Sequence, residues 1–199
     1  MINKCIRFIV TGGYVGLIRF APGTFGSLLA FPLFVLIINL VSKFRLRFNI
    51  SSLGQIQQEL LTVGVIIVLL CTILFIVGVY LVDRYINEVG REDPKEVVID
   101  EIVGQMLTVI LAAPTSILAH HAEFAAKIDP NIIDFIFLFL IPFILFRFFD
   151  ICKPWPINWV DKNVKGGFGV MIDDVLAAVF ASVMSYAITF VVVGDAFNA

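Results

Sequence analysis

Five apolar segments alternate with charged stretches along the chain, over residues 27–41, 60–82, 97–118, 132–149 and 175–193. Residues 60–82 form the clearest segment, since 23 consecutive residues carry no charge and about 20 suffice to cross a membrane as a helix. Residues 27–41 would reach only about 22 Å across a hydrocarbon core of about 30 Å. The pattern leaves open whether this first segment crosses completely.

The composition is that of a membrane protein. Hydrophobic residues make up 60% of the 199 residues and the mean hydropathy is +1.00, whereas soluble domains are about 45–50% apolar. Isolated strands cannot satisfy their backbone hydrogen bonds in lipid, so each crossing segment is expected to be a helix. We therefore predict an all-α fold, a polytopic membrane bundle of about five apolar helices in a single domain over residues 1–199. The net charge of −2 does not indicate nucleic-acid binding.

The charged residues separate into two groups when the crossings are counted. If all five segments cross, the N-terminus and residues 23–27, 83–101 and 146–174 share one face. That face collects ten of the 14 basic residues and eleven of the 16 acidic residues. Because basic residues are enriched on the cytoplasmic side of membrane proteins, the count predicts that this charged face lies in the cytoplasm.

Three groups of carboxylates lie on the charged face: Asp100–Glu101, Asp150 and Asp173–Asp174. Each pair is expected at the start of a helix, where a carboxylate can cap free N–H groups. Asp150 instead ends an apolar segment, where the helix dipole disfavours an anion, so it needs either Arg147 or a bound cation as a partner. Hard carboxylate oxygens suit Mg²⁺, and the whole set predicts a metal site more strongly than it predicts helix caps.

Candidate anion-binding residues lie beside two glycine-containing stretches, residues 21–27 and 166–169. Glycines let backbone N–H groups approach an oxyanion, and a helix N-terminus favours phosphate. A helix cap is the default role for Thr24, whereas contact with anionic lipid explains the basic side chains as well as phosphate binding does. The candidate residues are Thr24, Arg147, Lys153, Lys165, Gly166 and Gly167.

The sequence gives no support to thiol or histidine chemistry. Cys5, Cys71 and Cys152 lie far apart, and neither Cys5 nor Cys152 is followed six residues later by the arginine of a cysteine-phosphatase loop. His120 and His121 fall on the face opposite the carboxylates. An Asp-x-Asp nucleophile motif is also absent from the chain.

The sequence resembles the phosphatidylglycerophosphatase A family in three blocks that occur in the family's order. They are APGTFGSLLA (residues 21–30), EDPKEVVIDEIVGQ (92–105) and FRFFDICKPWPINWVDKNVKGGFGVMIDDVLAAV (146–179). Between the blocks the resemblance is limited to apolar character. This chain departs from the family's pattern at Glu92, where lysine is frequent, and at Ala178, where glycine is frequent.

The resemblance implies Mg²⁺-dependent hydrolysis of the terminal phosphate of phosphatidylglycerophosphate. The phospholipid substrate would stay in the bilayer, here the cytoplasmic (inner) membrane of a bacterium, with the active site on the cytoplasmic side. The family's acidic motifs coincide with the acids identified above. These residues are expected to be both metal ligands and catalytic residues: Asp100, Glu101, Asp150, Asp173 and Asp174.

Two other functions fit the sequence less well. A CDP-alcohol phosphatidyltransferase would carry an Asp-Gly-x-x-Ala-Arg run followed by spaced aspartates, and this chain lacks that run. A non-enzymatic Mg²⁺-binding transporter or scaffold would place acids in mid-helix, whereas both acidic pairs are expected here at helix starts.

Overall fold

The computed structural model describes residues 3–46, 48, 54–92, 94–120 and 127–194. Within these residues all regular secondary structure is helical, as predicted. Arg47, Asp93 and His121, which entered the charge count or the discussion of histidines, lie outside the described residues.

The described residues form a succession of helices. They are α1 (Lys4–Val10), α2 (Pro22–Lys43), α3 (Gln55–Val89), α4 (Ile99–Ala112), α5 (Pro114–His120), α6 (Pro130–Asp134), α7 (Ile141–Cys152), α8 (Ile157–Asn163) and α9 (Gly166–Gly194). A π-helical stretch, Phe135–Leu140, joins α6 to α7. Five segments are long and apolar enough to cross a membrane: α2, α3, α4 with α5, α6 through α7, and α9.

The first span is longer than the apolar segment that predicted it. Helix α2 has 22 residues and begins at Pro22, whose fixed φ suits the first position of a helix. At 1.5 Å per residue it extends about 33 Å, enough for a hydrocarbon core of about 30 Å. The helix therefore includes residues 22–26 of the Ala-Pro-Gly-Thr-Phe-Gly stretch, which hydropathy alone had left outside it.

Helix α4 lies at the centre of the bundle and packs against α2, α3, α7 and α9. In the span formed by α4 and α5, 61% of an 18-residue stretch is buried, compared with 22–33% of the corresponding stretches in the other four spans. Small residues allow this packing: a Cβ at Gly104 would lie 2.6 Å from the Phe146 ring and 3.1 Å from the carbonyl oxygen of Asp174. Ala178 of α9 is also fully buried.

Helix α9 begins earlier than the sequence pattern predicted. Its first residue is Gly166, so Asp173–Asp174 lie about two turns inside the helix, and the prediction that this pair begins a helix was wrong. The backbone N–H of Gly167 donates to Asp83 Oδ1 at 2.5 Å. A Cβ at Gly167 would lie 2.2 Å from the carbonyl oxygen of Val79. The glycine run is thus the first turn of α9, packed directly on the backbone of α3.

The connection from α7 to α9 folds across the end of the bundle through the short helix α8. Trp155 and Trp159 in this connection are 79% and 56% exposed. Exposed tryptophans beside the ends of membrane helices are typical of the membrane–water interface.

The two ends of the bundle can be assigned to membrane sides by thiol labelling. In a variant with Cys5, Cys71 and Cys152 replaced by serine, we expect Lys43→Cys to react with an impermeant maleimide in intact cells and Lys162→Cys to stay unlabelled. Both side chains are exposed, at the end of α2 and in α8 respectively. Both cysteines should react after permeabilisation. Labelling of Lys162→Cys from outside would contradict the prediction that the charged face lies in the cytoplasm.

Candidate active site

A cavity of about 560 Å³ opens at the end of the bundle where α2, α4 and α9 begin and α7 ends. Ten of the eleven predicted site residues line it. They are Thr24, Asp100, Glu101, Arg147, Asp150, Lys153, Lys165, Gly166, Asp173 and Asp174. The structure therefore brings together residues that lie up to 150 positions apart in the chain.

The centre of the site is a group of three carboxylates. Ligand oxygens of Asp100, Glu101 and Asp174 all lie within 4.8 Å of one another. Asp100 Oδ1, Glu101 Oε2 and Asp174 Oδ2 are buried, and none has a hydrogen-bond partner among the described residues. Buried anions this close repel one another strongly unless a cation lies between them. The donor set, three hard oxygens, fits a divalent cation such as Mg²⁺.

Asp150 has a protein cation beside it. The Asp150 carboxylate accepts from Arg147 Nη1 at 2.6 Å. Arg147 and a bound cation were the two partners considered for Asp150, and the structure shows the arginine. The same guanidinium donates to Ser27 Oγ at 3.2 Å, which ties the end of α7 to the first turns of α2. Asp150 also lies beside Asp174, so it borders the central group of carboxylates.

Lys153 is held between two carboxylates. Its Nζ lies 2.5 Å from Asp161 Oδ1 and 2.6 Å from Asp173 Oδ2. Burial alone would lower the pKa of Lys153, but the carboxylates of Asp173 and Asp161 outweigh it and hold this pKa above its ordinary value. An ammonium group has three N–H donors. Two of them are used here, which leaves one for an anion in the cavity.

The mouth of the cavity carries exposed charges. Lys165 Nζ lies 3.3 Å from Glu92 Oε2, and both side chains are more than half exposed. Gly166 lines the cavity with a φ of +74°, a backbone conformation that suits glycine. Gly167 does not line the cavity, and its N–H already donates to Asp83. The structure therefore contradicts the expectation that this amide binds phosphate.

Several neighbours of the site were missed in the sequence. Asp83 caps α9 from α3, 84 residues away, and Asp161 shares Lys153 with Asp173. Gly23 lets Glu101 approach α2, since a Cβ there would lie 2.3 Å from Glu101 Oε1. None of these residues has a local pattern that reveals its role, because each acts across the fold.

His120, by contrast, lies at the opposite end of the bundle, 2.9 Å from Asp134, as its exclusion from the site required.

Comparison with known proteins decides the family. The sequence model of the family described as Phosphatidylglycerophosphatase A matches residues 8–189. This chain belongs to the phosphatidylglycerophosphatase A family. The matched range contains every residue that lines the cavity.

Curated relatives of this phosphatidylglycerophosphatase A family member cover most of its length. Phosphatidylglycerophosphatase A of Haemophilus influenzae is 37% identical over 186 residues, 93% of this chain and 89% of that protein. Phosphatidylglycerophosphatase A of Escherichia coli K12 is 32% identical over 182 residues, 92% of this chain and 82% of that protein. A Bacteroides thetaiotaomicron protein, provisionally named phosphatidylinositol-3-phosphatase, is 32% identical over 176 residues, 88% of each chain. No solved structure matches the chain significantly.

The close approach of α2 to the carboxylates gives a test of the site. Gly23→Ala should lower phosphatase activity by about tenfold or more, because a Cβ 2.3 Å from Glu101 Oε1 must displace that carboxylate. The matched control is Gly64→Ala in α3, where the nearest neighbouring atom would lie 3.8 Å from the Cβ. Phosphate release and size-exclusion profiles of both purified variants are the measurements. Normal rates for a well-folded Gly23→Ala protein would show that the position of Glu101 does not matter.

Proposed function

We propose that this protein hydrolyses the terminal phosphate monoester of phosphatidylglycerophosphate, with Mg²⁺ as its cofactor, to give phosphatidylglycerol and inorganic phosphate. The names of the Haemophilus influenzae and Escherichia coli relatives support this substrate. The observation that carries the proposal is the central group of three carboxylates, whose ligand oxygens lie within 4.8 Å of one another and each of which has one buried oxygen without a hydrogen-bond partner among the described residues. Such a group suits phosphoryl transfer assisted by a divalent cation.

The residues that would hold Mg²⁺ are Asp100, Glu101 and Asp174, with Asp150 and Asp173 beside them. The unpartnered oxygens of the first three fit the oxygen coordination that Mg²⁺ requires. When bound, the metal would polarise the phosphoryl group and lower the pKa of a coordinated water. Because Asp150 and Asp173 already face Arg147 and Lys153, they are less available as metal ligands than the central three.

The cationic side chains would orient the phosphate. Lys153, fixed by Asp161 and Asp173, has one N–H left to donate to a phosphate oxygen. Arg147 lines the cavity between Ser27 and Asp150, where it can balance the charge of the substrate. These groups are positioned before the substrate arrives, so little reorganisation is needed in the transition state.

Hydrolysis requires the attacking water to lose a proton and the leaving glycerol oxygen to gain one. The oxygen of water bonds to phosphorus, the bond from phosphorus to the glycerol oxygen breaks, and that oxygen leaves with a proton as a hydroxyl group. One of the cavity carboxylates would accept a proton from the attacking water, and the resulting carboxyl group would give a proton to the leaving glycerol oxygen. The net reaction consumes one water and needs no further reactant.

The enzyme would act at the cytoplasmic side of a bacterial inner membrane. The cavity lies at the end of the bundle that collects most of the basic residues, and positive charge is enriched on the cytoplasmic side. This placement keeps the acyl chains of the substrate in the bilayer while the head group reaches the carboxylates.

The direct test is phosphate release from phosphatidylglycerophosphate by the purified protein in mixed micelles. We expect activity that chelation with EDTA abolishes and Mg²⁺ restores. Phosphatidylinositol 3-phosphate should be a poorer substrate, and a preference for it would instead favour the activity named for the Bacteroides relative. Hydrolysis that continues in excess EDTA would contradict the metal-dependent mechanism.

The central carboxylates should be indispensable for turnover. Asp100→Asn and Asp174→Asn should each lower kcat by more than the roughly 10–100-fold seen when an outer-shell partner of a metal is lost. Asp134→Asn, at the opposite end of the bundle, is the matched control and should keep its activity. If Asp100 were only a helix cap, its variant would lose about 1 kcal/mol of stability and little activity.

A further inference from the structure

The cavity reaches the seam between α2 and α7, because the first turn of α2 and the last turns of α7 both line it. Deeper in the bundle this seam is closed by aromatic rings: the centroid of Phe31 lies 5.2 Å from that of Phe139 and 5.9 Å from that of Phe143. At the level of the cavity, the hydrogen bond from Arg147 to Ser27 crosses the seam. On the side of that hydrogen bond away from the aromatic rings, the first turn of α2 and the last turn of α7 form two sides of the cavity wall.

Ile151 marks an opening of the cavity at this seam. Its side chain lines the cavity, yet it is 69% exposed, so at this position the cavity wall is also the outer surface of the bundle. Phe20, which precedes the α2 side of the wall, is 81% exposed. Large apolar side chains at the mouth of a carboxylate site are unfavourable in water but suit contact with lipid.

Exposed apolar rows lead away from the opening along both helices. On α7, Ile144 lies seven residues before Ile151, a spacing that keeps both side chains on one side of the helix, and Leu140, the last residue of the preceding π-helical stretch, is also exposed. On α2, Leu28 and Val35 lie seven residues apart and are also exposed. Phe31 lies between Leu28 and Val35 on α2, and both rows lie within segments that are long and apolar enough to cross a membrane.

A lipid phosphate needs such an opening. Moving acyl chains into water is unfavourable for every methylene group, so the chains must stay in the bilayer while the head group reacts. A cavity that opened only toward water would require the whole lipid to leave the membrane. An opening on the side of the bundle lets the phosphate enter while the chains remain among the tails of neighbouring lipids.

We propose that the α2–α7 seam is a lateral portal that binds the glycerol backbone and proximal acyl chains of the lipid substrate. Ile151 contacts this part of the lipid, and the chains lie along the exposed rows of α2 and α7. The terminal phosphate then reaches the carboxylates inside. This proposal rests on the proposed function, because it takes a glycerophospholipid with a terminal phosphate monoester as the ligand.

Protection of a cysteine at the portal tests this binding site without turnover. In the variant that lacks the native cysteines, Ile151→Cys is alkylated by N-ethylmaleimide in phosphatidylcholine vesicles. A long-chain phosphonate analogue of phosphatidylglycerophosphate, whose terminal C–P bond is not hydrolysed, should slow alkylation about fivefold when it occupies about four-fifths of the sites. Inorganic phosphate should give no protection, because it leaves the portal open.

Phe168→Cys is the matched control. Phe168 is apolar, 47% exposed and in the first turn of α9, at the same end of the bundle but on the side of α3, where its ring packs on Phe75. The analogue should leave its alkylation rate unchanged. Equal protection of both cysteines, protection of Ile151→Cys by inorganic phosphate alone, or no protection by the analogue would overturn the portal.

A kinetic comparison provides a second measurement if the cysteine variant does not fold. Ile151→Trp should lower the ratio of kcat/KM for the dioleoyl lipid to kcat/KM for the water-soluble head group, glycerophosphoglycerol phosphate, by about tenfold, mainly through KM. Phe168→Trp should leave this ratio unchanged, and an unchanged ratio for Ile151→Trp would contradict the portal. If the analogue protects Ile151→Cys but the protein does not hydrolyse the lipid, the proposed function is refuted and the portal is supported. If the protein hydrolyses the lipid but the analogue gives no protection, the portal is refuted and the proposed function is supported.

Discussion

The structure depends on how the charge of its buried carboxylates is balanced. Two of the five acids have protein cations, since Asp150 pairs with Arg147 and Asp173 with Lys153. No described side chain forms an ion pair with the three central carboxylates, although their oxygens lie within 4.8 Å of one another. Leaving a single buried charge unpaired typically costs about 3–5 kcal/mol. A divalent cation at this position would offset the repulsion among the three carboxylates and link α4 to α9.

Close packing of helices brings the acids together. Lipid tails are as apolar as leucine, so membrane helices associate through close packing of small residues more than through the hydrophobic effect. Gly104 admits the Phe146 ring between α4 and α7, Gly23 admits the Glu101 carboxylate to α2, and Gly167 places α9 on the backbone of α3. Each of these glycines replaces a side chain that would push one wall of the cavity outward.

The acids could be predicted from the sequence because charge is conspicuous in an apolar chain, and counting crossings placed all five at one end of the bundle. The start of α9 could not be predicted. Hydropathy treats a glycine run as a loop, whereas Gly167 is helical because Asp83 accepts its N–H and α3 packs against it. The Lys153–Asp161 pair was missed for a related reason, since it depends on how α8 folds back over the site. Contacts set by tertiary packing leave no periodic pattern in the sequence.

Binding of Mg²⁺ to the metal-free protein tests the central claim most directly. The account predicts that Mg²⁺ raises the thermal unfolding temperature in detergent in a saturable way, with stabilisation of about 2.7 kcal/mol at a hundred times the dissociation constant. Asp174→Asn should abolish most of this shift, and Asp129→Asn, at the other end of the bundle, should retain it. An unfolding temperature that does not respond to Mg²⁺, or an equal response in Asp174→Asn, would contradict a cation site formed by the three carboxylates.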